Sequence, residues 1–175
     1  VLQAIPVAFC AKDASGRWVH VNEALARMNR TTRDRLEGRT DRELFTAVQA
    51  EWLAEQDRGL FATHGSLDIE ERMTTVDGRE LWVLKHKRAM RFATGEELIL
   101  TSLLDITERK QSELKVEEGW QFLRQVIDTI PEPIFVKNAR HEWVLMNEAF
   151  ARVLLMPRDE LLGKRDRDLL PESIA

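Results

Sequence analysis

His20, His64, His86, His141 and the lone cysteine, Cys10, are the side chains that could hold a metal or act as nucleophile or base. Their spacing suits neither task. No two of them stand at metal-ligand intervals, and the chain carries no glycine-rich phosphate loop, nucleophile elbow or His-Glu-x-x-His run. The adjacent acids Glu70–Glu71 and Glu117–Glu118 project to different faces of a strand or helix, so neither pair can share one substrate. No basic neighbour is evident to lower the Cys10 pKa, and it reads as a small buried strand residue. Catalysis and a metal site are therefore not expected.

Binding chemistry remains. Met28, Phe45, Trp52, Phe61 and Trp82 are the bulky candidates to contact a small molecule, and Arg88 could meet an anion if its strand face turns inward. A domain of ~100 residues needs most of its large apolar groups packed, so filling the core is the first reading for all of them. The net charge is −4, from 26 basic and 30 acidic residues well mixed along the chain, and nucleic-acid binding needs clustered Lys and Arg. The one dense basic run, "KHKR" at Lys85–Arg88, lies in strand-like text and reads as a solvated sheet face. No apolar stretch approaches the ~18–20 residues that span a bilayer. A single cysteine fits a reducing compartment, and a cytoplasmic location is expected, although "VLQAIPVAF" reads as mid-protein text and leaves upstream targeting open.

The elements that must position these residues come in two copies. At an offset of 125, 18 of the 41 positions in Ile5–Phe45 are identical to those in Ile130–Leu170 without a gap. Among them are Lys12/Lys137, a Trp-Val pair, Asn-Glu-Ala, Gly38/Gly163 and an Asp-Arg pair, which mark a duplicated unit. Each copy opens with an apolar strand, "VAFCAKD" or "PIFVKNA", then a second, "RWVHVN" or "EWVLMN". Asn22 and Asn147 precede helical runs and are placed to cap them. Beyond residue 45 only the first copy continues: a helix over "AVQAEWLAEQDRGLFATHG", a hairpin turning at Asp77-Gly78, which suits a type I′ connection, and a last strand in "ELILTSLLDI". Strand, strand, helices and three further strands make an α+β pattern with an antiparallel sheet.

Text of this kind resembles the PAS family of sensory domains. "IPVAFCAKD" and "IPEPIFVKN" resemble its first strand, "WVHVNEALARM" and "WVLMNEAFARV" its second strand and first helix, and "LEGRTDRELF" and "LLGKRDRDLL" its short helical crossing. "DITERK" at Asp105–Lys110 resembles the end signature where the last strand passes into a signalling helix. The resemblance implies a five-stranded antiparallel sheet in order 2-1-5-4-3, helices over one face, and often a ligand pocket between them. It implies a PAS domain over 1–107, a linker helix over 108–129 and the front half of a second PAS domain over 130–175. Such modules commonly feed an output such as a histidine kinase or a cyclic-dinucleotide enzyme, neither of which is in these residues. Flavin-adduct members carry Asn-Cys-Arg where this chain has Asn22-Glu23-Ala24 and Asn147-Glu148-Ala149, so cysteine photochemistry is excluded. Haem-binding members place a His on the long helix; His64 is close, but beside Gly65 at that helix's end. No cofactor is the leading expectation, with a haem or flavin redox sensor third in order.

Two further expectations follow. Val116, Trp120, Leu123, Ile127 and Ile130 recur at spacings of four and three, either the seam of a coiled-coil homodimer or a stripe that docks on the second unit. Asp105 and Thr107 would transmit a signal from sheet to helix, with Arg79 as ion-pair partner of Asp105; a plain helix cap by Thr107 is the alternative. The module is thus expected to sense a small molecule and pass the change to a downstream domain. A scaffold that only dimerises is the competing reading. The second copy should expose the open edge of "PIFVK", its tail disordered, loosely docked or paired with another molecule.

Overall fold

The computed structural model describes residues 6–169. The chain divides into two compact units, the first ending at Lys110 and the second beginning at Gln111. The end of the expected tail, residues 170–175, lies outside the described residues.

In the first unit, β1 (Ala8–Asp13), β2 (Trp18–Val21), β3 (Ser66–Thr74), β4 (Glu80–Arg91) and β5 (Glu97–Asp105) form one antiparallel sheet in order β2-β1-β5-β4-β3. Between β2 and β3 run α1 (Glu23–Met28), α2 (Arg33–Leu36), α3 (Asp41–Leu44) and the long α4 (Ala47–Thr63). Strand alternation sends Val83, Lys85, Lys87 and Ala89 of β4 to the buried side while His86, Arg88 and Met90 stay exposed. The core is built from Ala8, Cys10, Trp18, Val21, Leu25, Leu36, Val83 and Leu103, and a second cluster joins Leu60 of α4 to Ala89 and Ile99.

The connection at Asp77-Gly78 is not type I′. That turn needs positive φ at both central residues, and here only Gly78 has it, at 85°. Gly78 N–H instead donates to Thr75 C=O and Thr75 N–H to Arg79 C=O, a type I turn closed by a left-handed residue. The same pair of bonds closes the turns at Gly16, Gly95 and, in the second unit, His141 at φ 62°. An Asp-Gly dipeptide satisfies either design, so sequence alone could not separate them.

α5 (Thr107–Asp128) runs from the end of the first sheet into the second unit. There β6 (Phe135–Lys137) pairs with β7 (Trp143–Met146), followed by α6 (Glu148–Leu154), α7 (Arg158–Leu161) and α8 (Asp166–Leu169). β7 is the one strand that pairs with β6 among the described residues, and Phe135 and Val136 are about half exposed.

Asn22 and Asn147 do more than cap. Each side-chain oxygen accepts the N–H of the third residue on (Leu25, Phe150) and also a strand N–H, from Phe9 and Ile134 respectively. The amide of Asn22 donates to Val7 C=O, and that of Asn147 to the carbonyls of Ile127, Ile130 and Glu132. Both residues are fully buried, so one side chain holds a helix start against the first strand.

Candidate functional site

On the helix-facing side of the first sheet the strand registers lay out a grid. Cys10, Thr101 and Lys87 stand opposite one another on β1, β5 and β4, and Ala8, Leu103 and Lys85 form the next row. Above this floor lies a half-open cavity of about 310 Å³, lined by Trp18, Phe45 and, from α4, Val48, Gln49, Trp52 and Leu53, of which Val48 and Trp52 are also exposed to solvent. Glu71 and Met73 of β3 line its far side.

Three lysines line this cavity and all are buried: Lys12, Lys85 and Lys87, each at 2–3% exposure. Lys12 Nζ donates to Asp41 at 2.5 Å and to Asp57 at 3.1 Å, while Lys87 Nζ donates to the other oxygen of Asp57 at 2.6 Å and to Gln56. Lys85 pairs with Glu71 and lies 4.9 Å from the Trp52 ring centre. Trp18 Nε1 donates to Asp41, fixing that carboxylate. Buried ammonium groups demand such partners.

The two lysines that share Asp57 diverge in acidity. Burial lowers the pKa of both, but at Lys12 the carboxylates of Asp57 and Asp41 outweigh it and the pKa rises. At Lys87 burial wins, because Asp57 is opposed by repulsion from Lys12 and Lys85, and the pKa falls. Burial pushes Asp57 up, yet Lys12 and Lys87 together hold it below its ordinary value. Burial pushes the Cys10 thiol up to about 11 despite the two nearby lysines. At pH 8 roughly one Cys10 in a thousand would then be thiolate. Iodoacetamide at pH 8 is accordingly expected to label Cys10 slowly in the folded protein and rapidly in denaturant; equal rates would contradict the burial.

The expected site residues scatter. Phe45 and Trp52 line the cavity. Met28 packs against the main core, and Phe61 against the cluster of Leu60, Ala89 and Ile99. Trp82 lies on the opposite sheet face, its ring within 5.6 Å of the Arg72 and Lys110 cations. Arg88 is exposed, so the condition under which it would meet an anion fails. The reading of "KHKR" as a solvated face is corrected at alternate positions: Lys85 and Lys87 turn inward, as strand period dictates. Lys12, Asp41 and Asp57 were missed as site residues. A signal existed, because Lys12 and Asp41 recur as Lys137 and Asp166 at the repeat offset. Those two also pair, at 2.5 Å, with Lys137 5.5 Å from the Trp143 ring as Lys12 is from Trp18.

At the sheet's end the "DITERK" residues latch α5 onto β3 and β4. Ile106 N–H donates to Trp82 C=O, and Trp82 N–H donates to Thr107 Oγ1. Asp105 accepts the first helical N–H, that of Thr107, while the Thr107 hydroxyl is taken by Trp82. Glu70 pairs with Arg109 and Lys110 at 2.6 and 2.7 Å. The expected Arg79–Asp105 pair is not formed: Arg79 binds Asp77 within the hairpin turn and Met28 C=O at the end of α1. On α5, Val116, Trp120 and Leu123 are exposed and Ile127 is buried; Ile130 lies past the helix end, at Asp128, and is half-buried.

His64 is the exposed left-handed C-cap of α4, and among the described residues no histidine lines the cavity. The residues present therefore do not fit a haem with an axial His. Among the described residues no three His, Cys, Asp or Glu side chains converge on a metal position, and no helix is long and apolar enough to cross a membrane.

A sheet in order 2-1-5-4-3 with a helix-roofed cavity and an exit helix latched to its end defines a sensory-domain architecture. Sequence models of the PAS fold match residues 2–111 and, separately, 121–174. The chain belongs to the PAS fold family and carries two PAS units in tandem. An uncharacterized protein of Sinorhizobium fredii, y4lL, is 23% identical over 99% of this chain, which spans 21% of that protein. The methanogenesis regulatory histidine kinase FilI of Methanothrix harundinacea is 30% identical over 38% of this chain, which covers 7% of its length. Among solved structures, the PAS domain of Bordetella pertussis BvgS superposes with a TM-score of 0.54 at 20% identity, covering 68% of this chain and 90% of that one.

Proposed function

We propose that the first unit is a ligand sensor whose cavity state is relayed through the latch at Trp82 and Thr107 to α5, and from there to an output domain of a longer signalling protein. The observation that carries this reading is the position of β3. Glu71 faces the cavity through Lys85, and its neighbour Glu70 faces the start of α5 through Arg109 and Lys110. A shift of that strand moves both pairs together. Likeness to a regulatory histidine kinase supports a signalling role, with kinase output as one candidate. The exposed Val116, Trp120 and Leu123 face of α5 is assigned to pairing with the same face of a second copy, since apolar seams at this spacing associate.

Native mass spectrometry of freshly purified protein tests both parts. A dimer that retains a small molecule supports the reading. A dimer with the cavity empty, and with no molecule from a metabolite extract retained, favours the scaffold role, which the α5 face alone would serve.

A further inference from the structure

Thr101 sits in the middle of the cavity floor, 4% exposed, and among the described residues its hydroxyl has no hydrogen-bond partner. A buried polar atom without a partner destabilises a fold, and a valine would fill the same volume without that penalty. Diagonally across from it, Lys85 carries three donor hydrogens but has Glu71 as its one hydrogen-bond partner among the described residues. Diagonal neighbours on paired strands are within reach of a long side chain. The cluster is charge-balanced, Lys12 and Lys87 by Asp41 and Asp57 and Lys85 by Glu71, while the Arg72 guanidinium lies over Trp82 on the other face, so it is the spare donor hydrogens and not a net charge that await an acceptor. The remaining wall is mainly apolar, with Trp18, Phe45 and Trp52 offering rings.

We infer that the cavity takes a small organic carboxylate with an apolar or aromatic body. Its carboxylate accepts from Thr101 Oγ1 and Lys85 Nζ, and its body lies among the three rings. The inference rests on the sensor reading above and adds the ligand's chemical class. Bonds to an ionised acceptor are about twice as strong as neutral ones, so charge should decide among ligands of one shape.

Calorimetric titration with phenylacetate, phenylacetamide and phenethylamine tests this on the intact chain. Phenylacetate is expected to bind at least about tenfold more tightly than the amide, and the amine not measurably. Thr101→Val is expected to raise the melting temperature by a few degrees while weakening phenylacetate about tenfold. That combination separates loss of a ligand contact from loss of folding. The paired change Lys85→Met with Glu71→Met should erase the preference for acid over amide. Equal or tighter binding of the amide or the amine would overturn the carboxylate assignment while leaving the cavity a ligand site. If none of the three binds at millimolar concentration, or Thr101→Val leaves phenylacetate affinity unchanged, the assignment fails. The sensor reading fails separately, when the cavity is empty in the mass spectrum and retains nothing from a metabolite extract.

Discussion

Replacing Asp57 with alanine is expected to destabilise the first unit by about 3–5 kcal/mol, the range for removing one partner of a buried ionic network. Asp57 spans Lys12 and Lys87 from α4 to the sheet, and its loss leaves Lys87 with Gln56 as its one hydrogen-bond partner among the described residues. Chemical denaturation of the variant measures the effect. The double change Asp57→Leu with Lys87→Met should recover most of the loss, because Lys12 keeps Asp41 and apolar replacements of buried pairs are often neutral. The pH dependence follows from the Asp57 shift. Its folded pKa is below the unfolded value, so its contribution is present above about pH 4 and is lost as pH falls through the folded value. The alanine variant should therefore show a flatter acid limb. A loss under 1 kcal/mol at neutral pH would mean that the network is not holding α4 to the sheet.

Asn147→Ala is expected to unfold the second unit. Its side chain accepts from two N–H groups and shares its two amide hydrogens among three carbonyls, joining the end of α5, the approach to β6 and the start of α6. Each buried backbone group left without a partner costs about 1–3 kcal/mol, and β6–β7 is a two-stranded sheet with little reserve. Loss of amide protection across Trp143–Leu154, with the first unit's protection intact, is the expected readout from hydrogen exchange. Asn22→Ala should have a smaller effect in its unit, because the backbone groups it bonds, at Val7, Phe9 and Leu25, belong to a unit built on a five-stranded sheet. If Asn147→Ala retained wild-type protection, these asparagines would be ordinary caps, as their sequence position alone suggests.

The repeat and the alternation of strands were legible because they are periodic, and periodicity survives in sequence. Asn22 and Asn147 were legible as caps from their place before a helix, but their strand partners are 13 residues away and left no local mark. The cavity was half legible. Phe45 and Trp52 stand out by size, whereas a lysine in a strand reads as solvent-facing unless its neighbours' faces are known. Lys85 and Lys87 alternate with His86 and Arg88, and nothing in "KHKR" says which pair is inside. That is decided by Asp57 on α4 and Glu71 on β3. Arg79 failed as a partner of Asp105 for a related reason: Asp77, two residues away, is closer than any residue across the sheet.

The central claim is that occupancy of the cavity is felt at the start of α5, and amide hydrogen exchange at Trp82, Ile106 and Lys110 tests it most directly. Their N–H groups bond Thr107 Oγ1, Trp82 C=O and Ile106 C=O, so they report the latch itself. With the cavity saturated by phenylacetate, their exchange rates are expected to change by about threefold or more, an opening free-energy shift of roughly 0.6 kcal/mol, while Trp143 and Met146 in β7 stay constant. Saturation confirmed by calorimetry with exchange unchanged at all three amides would contradict the account.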